Sequence, residues 1–216
     1  MVDTNAVDNK VVENFQKTTT IPSVAPQIQA KYNLNWNSLQ AASAIVPLIM
    51  KYGEPSTVDS SRGGSAVWKS DRLIGTIFTR IELRDESVPH CTPMSHYDFI
   101  YGYINYDVSP SKFLDISSIM GGISYDKLKK ELRARGGCME EVLVALAIAT
   151  QIGEGQLSLQ YVQANELYKQ WIYETNNPEK VDQLYDLISF NLKHQKGDPQ
   201  PQGFWELAQP SGCSTC

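Results

Sequence analysis

Residues 138 to 152, CMEEVLVALAIATQI, constrain this chain more than any other stretch. After its first turn the segment is apolar nearly all round. A helix without a polar face has no side to turn to water, so it must be covered on every side by other elements. Its apolar run, VLVALAIAT at residues 142 to 150, falls far short of the ~20 residues that cross a bilayer. The segment therefore predicts the central buried helix of the fold, and the rest of the chain has to supply its cover.

That cover is read from two kinds of periodicity. Residues 64 to 106 carry strand signals. GSAVWKS at 64 to 70 follows the turn DSSRGG, and GTIFTRIEL at 75 to 83 alternates, with Ile77, Thr79, Ile81 and Leu83 facing one way. YDFIYGYINY at 97 to 106 puts Tyr97, Phe99, Tyr101 and Tyr103 on one face. Short links between three strands predict an antiparallel meander. One helix precedes them at 37 to 52, with Pro47 inside it and Gly53 ending it. About five follow, near 110–120, 124–135, 138–152, 158–175 and 178–195, the last opened by Asn177-Pro178. Strands first and helices afterwards predict an α+β domain: a three-stranded antiparallel sheet, one helix before it and about five packed on it.

The domain expected is residues 31 to 196. Residues 1 to 30, with KTTTIPSVAPQIQ, show no apolar period and read as an extended or disordered arm. Residues 197 to 216 read as an irregular tail in which Phe204, Trp205 and Leu207 are too apolar for a free linker.

Composition excludes some functions. A net charge of -5 with no basic stripe argues against nucleic acid. KLKKELRAR at 127 to 135 alternates in sign and reads as a solvated helix face. No apolar leader or membrane span is visible, so the expected protein is intracellular and soluble, without membrane insertion. No nucleotide loop, dinucleotide fingerprint, paired-histidine zinc helix or serine-nucleophile elbow is present.

Polar chemistry concentrates in SVPHCTPMSHYDF, residues 87 to 99, with His90, Cys91, His96 and Asp98. One reading is a connection shaped by Pro89 and Pro93. The other is a site for one divalent metal ion, with Glu82 or Glu86 as a further carboxylate. The spacing matches no known metal motif, so the first is the expectation carried forward, with no cofactor. Strand alternation puts His96 on the face of Asp98, at the end of the sheet where His90 exits the preceding strand. Cys138 stands at a helix start near Arg133 and Arg135, the setting of a reactive thiol, although Glu140 and Glu141 oppose thiolate formation. Cys213 and Cys216 have the spacing of a metal half-site or redox pair.

KYGEPSTVDSSRGGSAVWKS, residues 51 to 70, resembles the opening of small helix-then-sheet binding domains of the β-lactamase-inhibitor-like type. The resemblance covers about a tenth of the chain and implies a binding role. Together with the aromatic residues Tyr97, Phe99, Tyr101, Tyr103, Phe204 and Trp205, it leads to the expectation of a non-catalytic binding or structural protein. Its partners would be other subunits of an assembly. The alternative is a metalloprotein or enzyme built on His90, Cys91, His96 and Asp98.

Overall fold

A computed structural model of the chain describes residues 25–90 and 96–195. Its architecture is α+β. Two helices come first, α1 (Ala25–Tyr32) and α2 (Leu39–Tyr52). Strands β1 (Thr57–Val58), β2 (Ser65–Lys69), β3 (Arg80–His90) and β4 (His96–Asn105) follow, then α3 (Pro110–Ser117) and the hairpin β5 (Ser124–Asp126) and β6 (Glu131–Gly136). The chain closes with α4 (Met139–Gly153), α5 (Leu159–Ala164), α6 (Leu167–Glu174) and α7 (Pro178–Lys193). The six strands form one sheet in the order β1-β2-β3-β4-β6-β5, every neighbouring pair antiparallel.

The expected three-stranded sheet with six helices is therefore corrected to six strands and seven helices among the described residues. The largest error is at 124–135, expected as a helix and found as the β5–β6 hairpin. Lys, Leu, Glu, Ala and Arg are strong helix formers, which gives this stretch helical propensity. The hairpin obeys a different pattern: Leu132, Ala134 and Gly136 are buried, while Glu131, Arg133 and Arg135 between them are half-buried. A period of two that buries one face outweighs local propensity. Asp126 closes the turn by accepting from the Leu128 and Lys129 amides. Residues 75–79 are not strand, since pairing starts at Arg80 opposite Tyr103. The helix expected over 158–175 is two, broken at Asn165 and Glu166, the latter left-handed at φ 45°. Residues 25–30, assigned to the arm, belong to α1, where Ile28 is buried; residues 1–24 and 196–216 lie outside the described residues.

The central helix is where the sequence puts it. Twelve of the residues of α4 are buried, because it lies between the sheet on one side and α3, α6 and α7 on others. The sheet face toward it carries Ala66, Trp68, Ile81, Leu83, Ile100, Ile104, Leu132 and Ala134. Gly102 is the point of closest approach: a Cβ there would lie 2.5 Å from Val142 Cγ1 and 2.8 Å from the Phe78 ring. A methyl at that point would push sheet and helix apart. The opposite face carries Arg80, Glu82, Arg84, Tyr101, Tyr103, Arg133 and Arg135. No helix among the described residues is long and apolar enough to cross a membrane.

Pairing between β3 and β4 shifts in the middle. Leu83 faces Ile100, but Val88 faces Asp98, so five steps on β3 oppose two on β4. The extra residues form a bulge. Beyond it the pairing resumes and ends with His90 directly opposite His96.

Candidate metal centre

The bulge and the end of β3–β4 place three side chains together. His90 Nδ1 lies 3.4 Å from Asp98 Oδ1, and His96 Nε2 lies 3.1 Å from the same oxygen. The imidazole centroids are 5.0 Å apart at 61°. The ligand atoms of His90, His96 and Asp98 all fall within 4.8 Å of one another. Strand geometry accounts for this: His90 and His96 are cross-strand partners, and Asp98 is two residues from His96 on the same face.

Asp98 is fully buried, and its two oxygens differ. Oδ2 accepts from Arg135 Nε at 3.1 Å. Oδ1, turned to the histidines, has no well-formed hydrogen bond among the described residues, and neither has the buried Nδ1 of His90. Glu141, in the first turn of α4, brings a second carboxylate. Its Oε2 accepts from the Gly137 amide at 2.6 Å and stands 3.1 Å from His96 Nε2. Gly137 is tight against this cluster: a Cβ there would lie 3.0 Å from both His96 Cδ2 and the Tyr97 carbonyl. The buried Tyr168 hydroxyl of α6 has no hydrogen-bond partner among the described residues. Burial raises its pKa above the ordinary phenol value, and the charges of Glu141 and Asp98 raise it further.

Other residues singled out by sequence fall elsewhere. Glu82 is on the opposite face of the sheet, held by Arg80 and Arg84 and by the Tyr103 hydroxyl. Burial raises the Glu82 pKa, but these partners outweigh it and hold the carboxyl below its ordinary range. Glu86 is exposed on the bulge. Tyr97 is exposed, whereas Phe99, Tyr101 and Tyr103 are buried, the two tyrosines beneath arginine side chains. Cys91, Phe204, Trp205, Cys213 and Cys216 lie outside the described residues.

Cys138 precedes α4 and borders a cavity of about 660 Å³ lined also by Pro26, Leu39, Pro47, Lys51 and Phe99. The residue touches solvent yet its thiol is crowded by protein. That crowding, with Glu141 and Glu140 beside it, pushes the thiol up to about 12, so it is held neutral near pH 7.

Sequence reasoning did not find Gly137 or Tyr168 as site residues, and it met Arg135 and Glu141 only as neighbours of Cys138. The one available signal was the Arg133-Ala134-Arg135 alternation, which as a strand aims both arginines to one side. No protein-family model, curated protein or solved structure matches the chain.

Proposed function

We propose that this protein binds one divalent transition-metal ion through His90, His96 and Asp98. The carrying observation is the buried Asp98 Oδ1, turned toward two imidazole nitrogens and lacking a well-formed hydrogen bond among the described residues. A buried carboxylate oxygen left without a donor costs on the order of 1–3 kcal/mol, and a shared cation removes that cost. The spacing supports the reading. Two donors each about 2.1 Å from a tetrahedral ion stand about 3.4 Å apart, against 3.4 and 3.1 Å here. Two imidazoles and a carboxylate suit zinc, iron or manganese better than calcium or magnesium, which favour oxygen donors throughout.

In this reading Arg135 orients the Asp98 carboxylate from behind, and Glu141, anchored by the Gly137 amide, lies against His96. Three protein ligands leave a fourth position on a tetrahedral ion for water or a ligand. A role as a subunit whose aromatic sheet contacts partners has less support, since Tyr101 and Tyr103 are buried beneath Arg80 and Arg84.

The test is metal content and thermal unfolding of the purified protein, before and after chelation. Stoichiometric metal should be present, or one equivalent of zinc should restore stability. An ion at a hundredfold excess over its dissociation constant adds about 2.7 kcal/mol. His90→Ala/His96→Ala should lose the metal and the zinc-dependent stabilisation together. A wild type without metal and unmoved by zinc would overturn the proposal.

A further inference from the structure

The sheet face turned away from α4 is a layer of arginines over tyrosines. The Arg80 guanidinium carbon lies 3.8 Å from the Tyr103 ring centroid, and that of Arg84 lies 4.3 Å from the Tyr101 centroid. Most of these cations have a carboxylate. Arg80 pairs with Glu82 and Glu131, Arg84 with Glu82, and Arg135 with Asp98. Arg133 differs. It is half-buried, 5.4 Å over the same Tyr101 ring, and has no carboxylate within ion-pair distance among the described residues. Its Nε is buried and has no hydrogen-bond acceptor there either.

A guanidinium hydrates weakly and presents its donors as a planar fork, so a half-buried one without an acceptor is best completed by an oxyanion. Two neighbours lie beside it and carry further donors, although the charge of Arg84 is met by Glu82. Arg84 shares the Tyr101 ring, and Ser124 is the cross-strand partner of Arg133 on β5. An anion with several oxygens can meet the fork and the hydroxyl at once. On a chain of net charge -5, such a locally positive spot stands against the overall field.

We propose that Arg133, with Arg84 and Ser124 beside it, forms a binding position for a phosphate group, free or esterified, on the open face of the sheet. None of these three residues is a ligand of the proposed metal site, so the two proposals can fail separately.

The test is a titration of the full chain with inorganic phosphate, and separately with phenyl phosphate. Binding is followed through the backbone amide resonances of Ser124 and of position 133, which are present in wild type and variants alike, with chloride at matched ionic strength as the control. A saturable shift with a dissociation constant on the order of 1 mM is expected, absent with chloride. Saturation by phenyl phosphate as well would show that an esterified group is accepted; saturation by inorganic phosphate alone would restrict the position to the free anion. Arg133→Gln should remove saturable binding with the unfolding midpoint unchanged. Arg133→Lys should weaken it about tenfold, because the charge stays and the planar fork is lost. A shift that tracks ionic strength alone, or saturable binding that survives in Arg133→Gln, would overturn the proposal.

Discussion

Asp85 and Asp98 are both buried acids in the β3–β4 region, and they are solved in opposite ways. Asp85 sits in the bulge, 4% exposed, and both oxygens are hydrogen-bonded. Oδ1 accepts from the Ser38 amide at 2.8 Å; Oδ2 accepts from the Gly63 amide at 2.9 Å and Asn37 Nδ2 at 3.1 Å. One carboxylate thus ties the start of α2 and the Gly63–Gly64 turn to the sheet. The turn requires glycine: Gly63 has φ 75°, and a Cβ on Gly64 would lie 2.1 Å from the Asp59 carbonyl. Asp98 has one oxygen on Arg135 and the other turned to two histidines without a well-formed hydrogen bond. The contrast separates two uses of a buried charge. A carboxylate with every lone pair aimed at a donor is a structural tie; one left half-completed among imidazoles has the form of an ion site.

The largest effect expected from this contrast is Asp85→Ala. It leaves two amides and the Asn37 side chain unpaired, at a cost of about 3–5 kcal/mol by urea unfolding. The loss should be the same with zinc or chelator. A zinc-dependent loss would mean that the bulge and the proposed metal site act as one unit. Next is Asp98→Asn in metal-free protein, which removes the charge beside Arg135 and should cost about 2 kcal/mol. An equal loss at both positions would erase the distinction drawn here.

The smallest effect concerns acid. Burial raises the Asp85 carboxyl, but the hydrogen bonds from Asn37, Ser38 and Gly63 outweigh it and hold the group below its ordinary range. The unfolded chain therefore takes up this proton at a higher pH than the folded one. The stabilisation is intact above the unfolded value of about 3.9 and is lost as pH falls through the lower folded value. Unfolding measured from about pH 5 to pH 2 should show a shallower decline for Asp85→Asn than for wild type. Parallel curves would show that Asp85 is not held as described.

How much of this was legible in the sequence depends on the range of each interaction. The all-apolar α4 declared its burial, because nothing polar interrupts Val142 to Ala149. Strand alternation put His96 on the face of Asp98, but the pairing of His90 with His96 depends on the register shift between Leu83 and Val88, which alternation does not reveal. The β5–β6 hairpin was missed because a single short strand, Glu131 to Gly136, offers only three turns of alternation against strong helical propensity. Asp85 was invisible for another reason: its donors at Asn37 and Ser38 lie 48 and 47 residues away. Before folding it is one acid among many. Arg135 could be placed beside Asp98 only once β6 was known to pair with β4.

The claim that the open oxygen of Asp98 is kept for a cation is tested most directly by calorimetric titration of zinc into chelator-treated protein. Wild type and Asp98→Asn would be compared side by side. The account predicts one equivalent bound by wild type, and binding at least about tenfold weaker once the carboxylate becomes an amide. No binding by wild type, or equal affinity for both proteins, would contradict it.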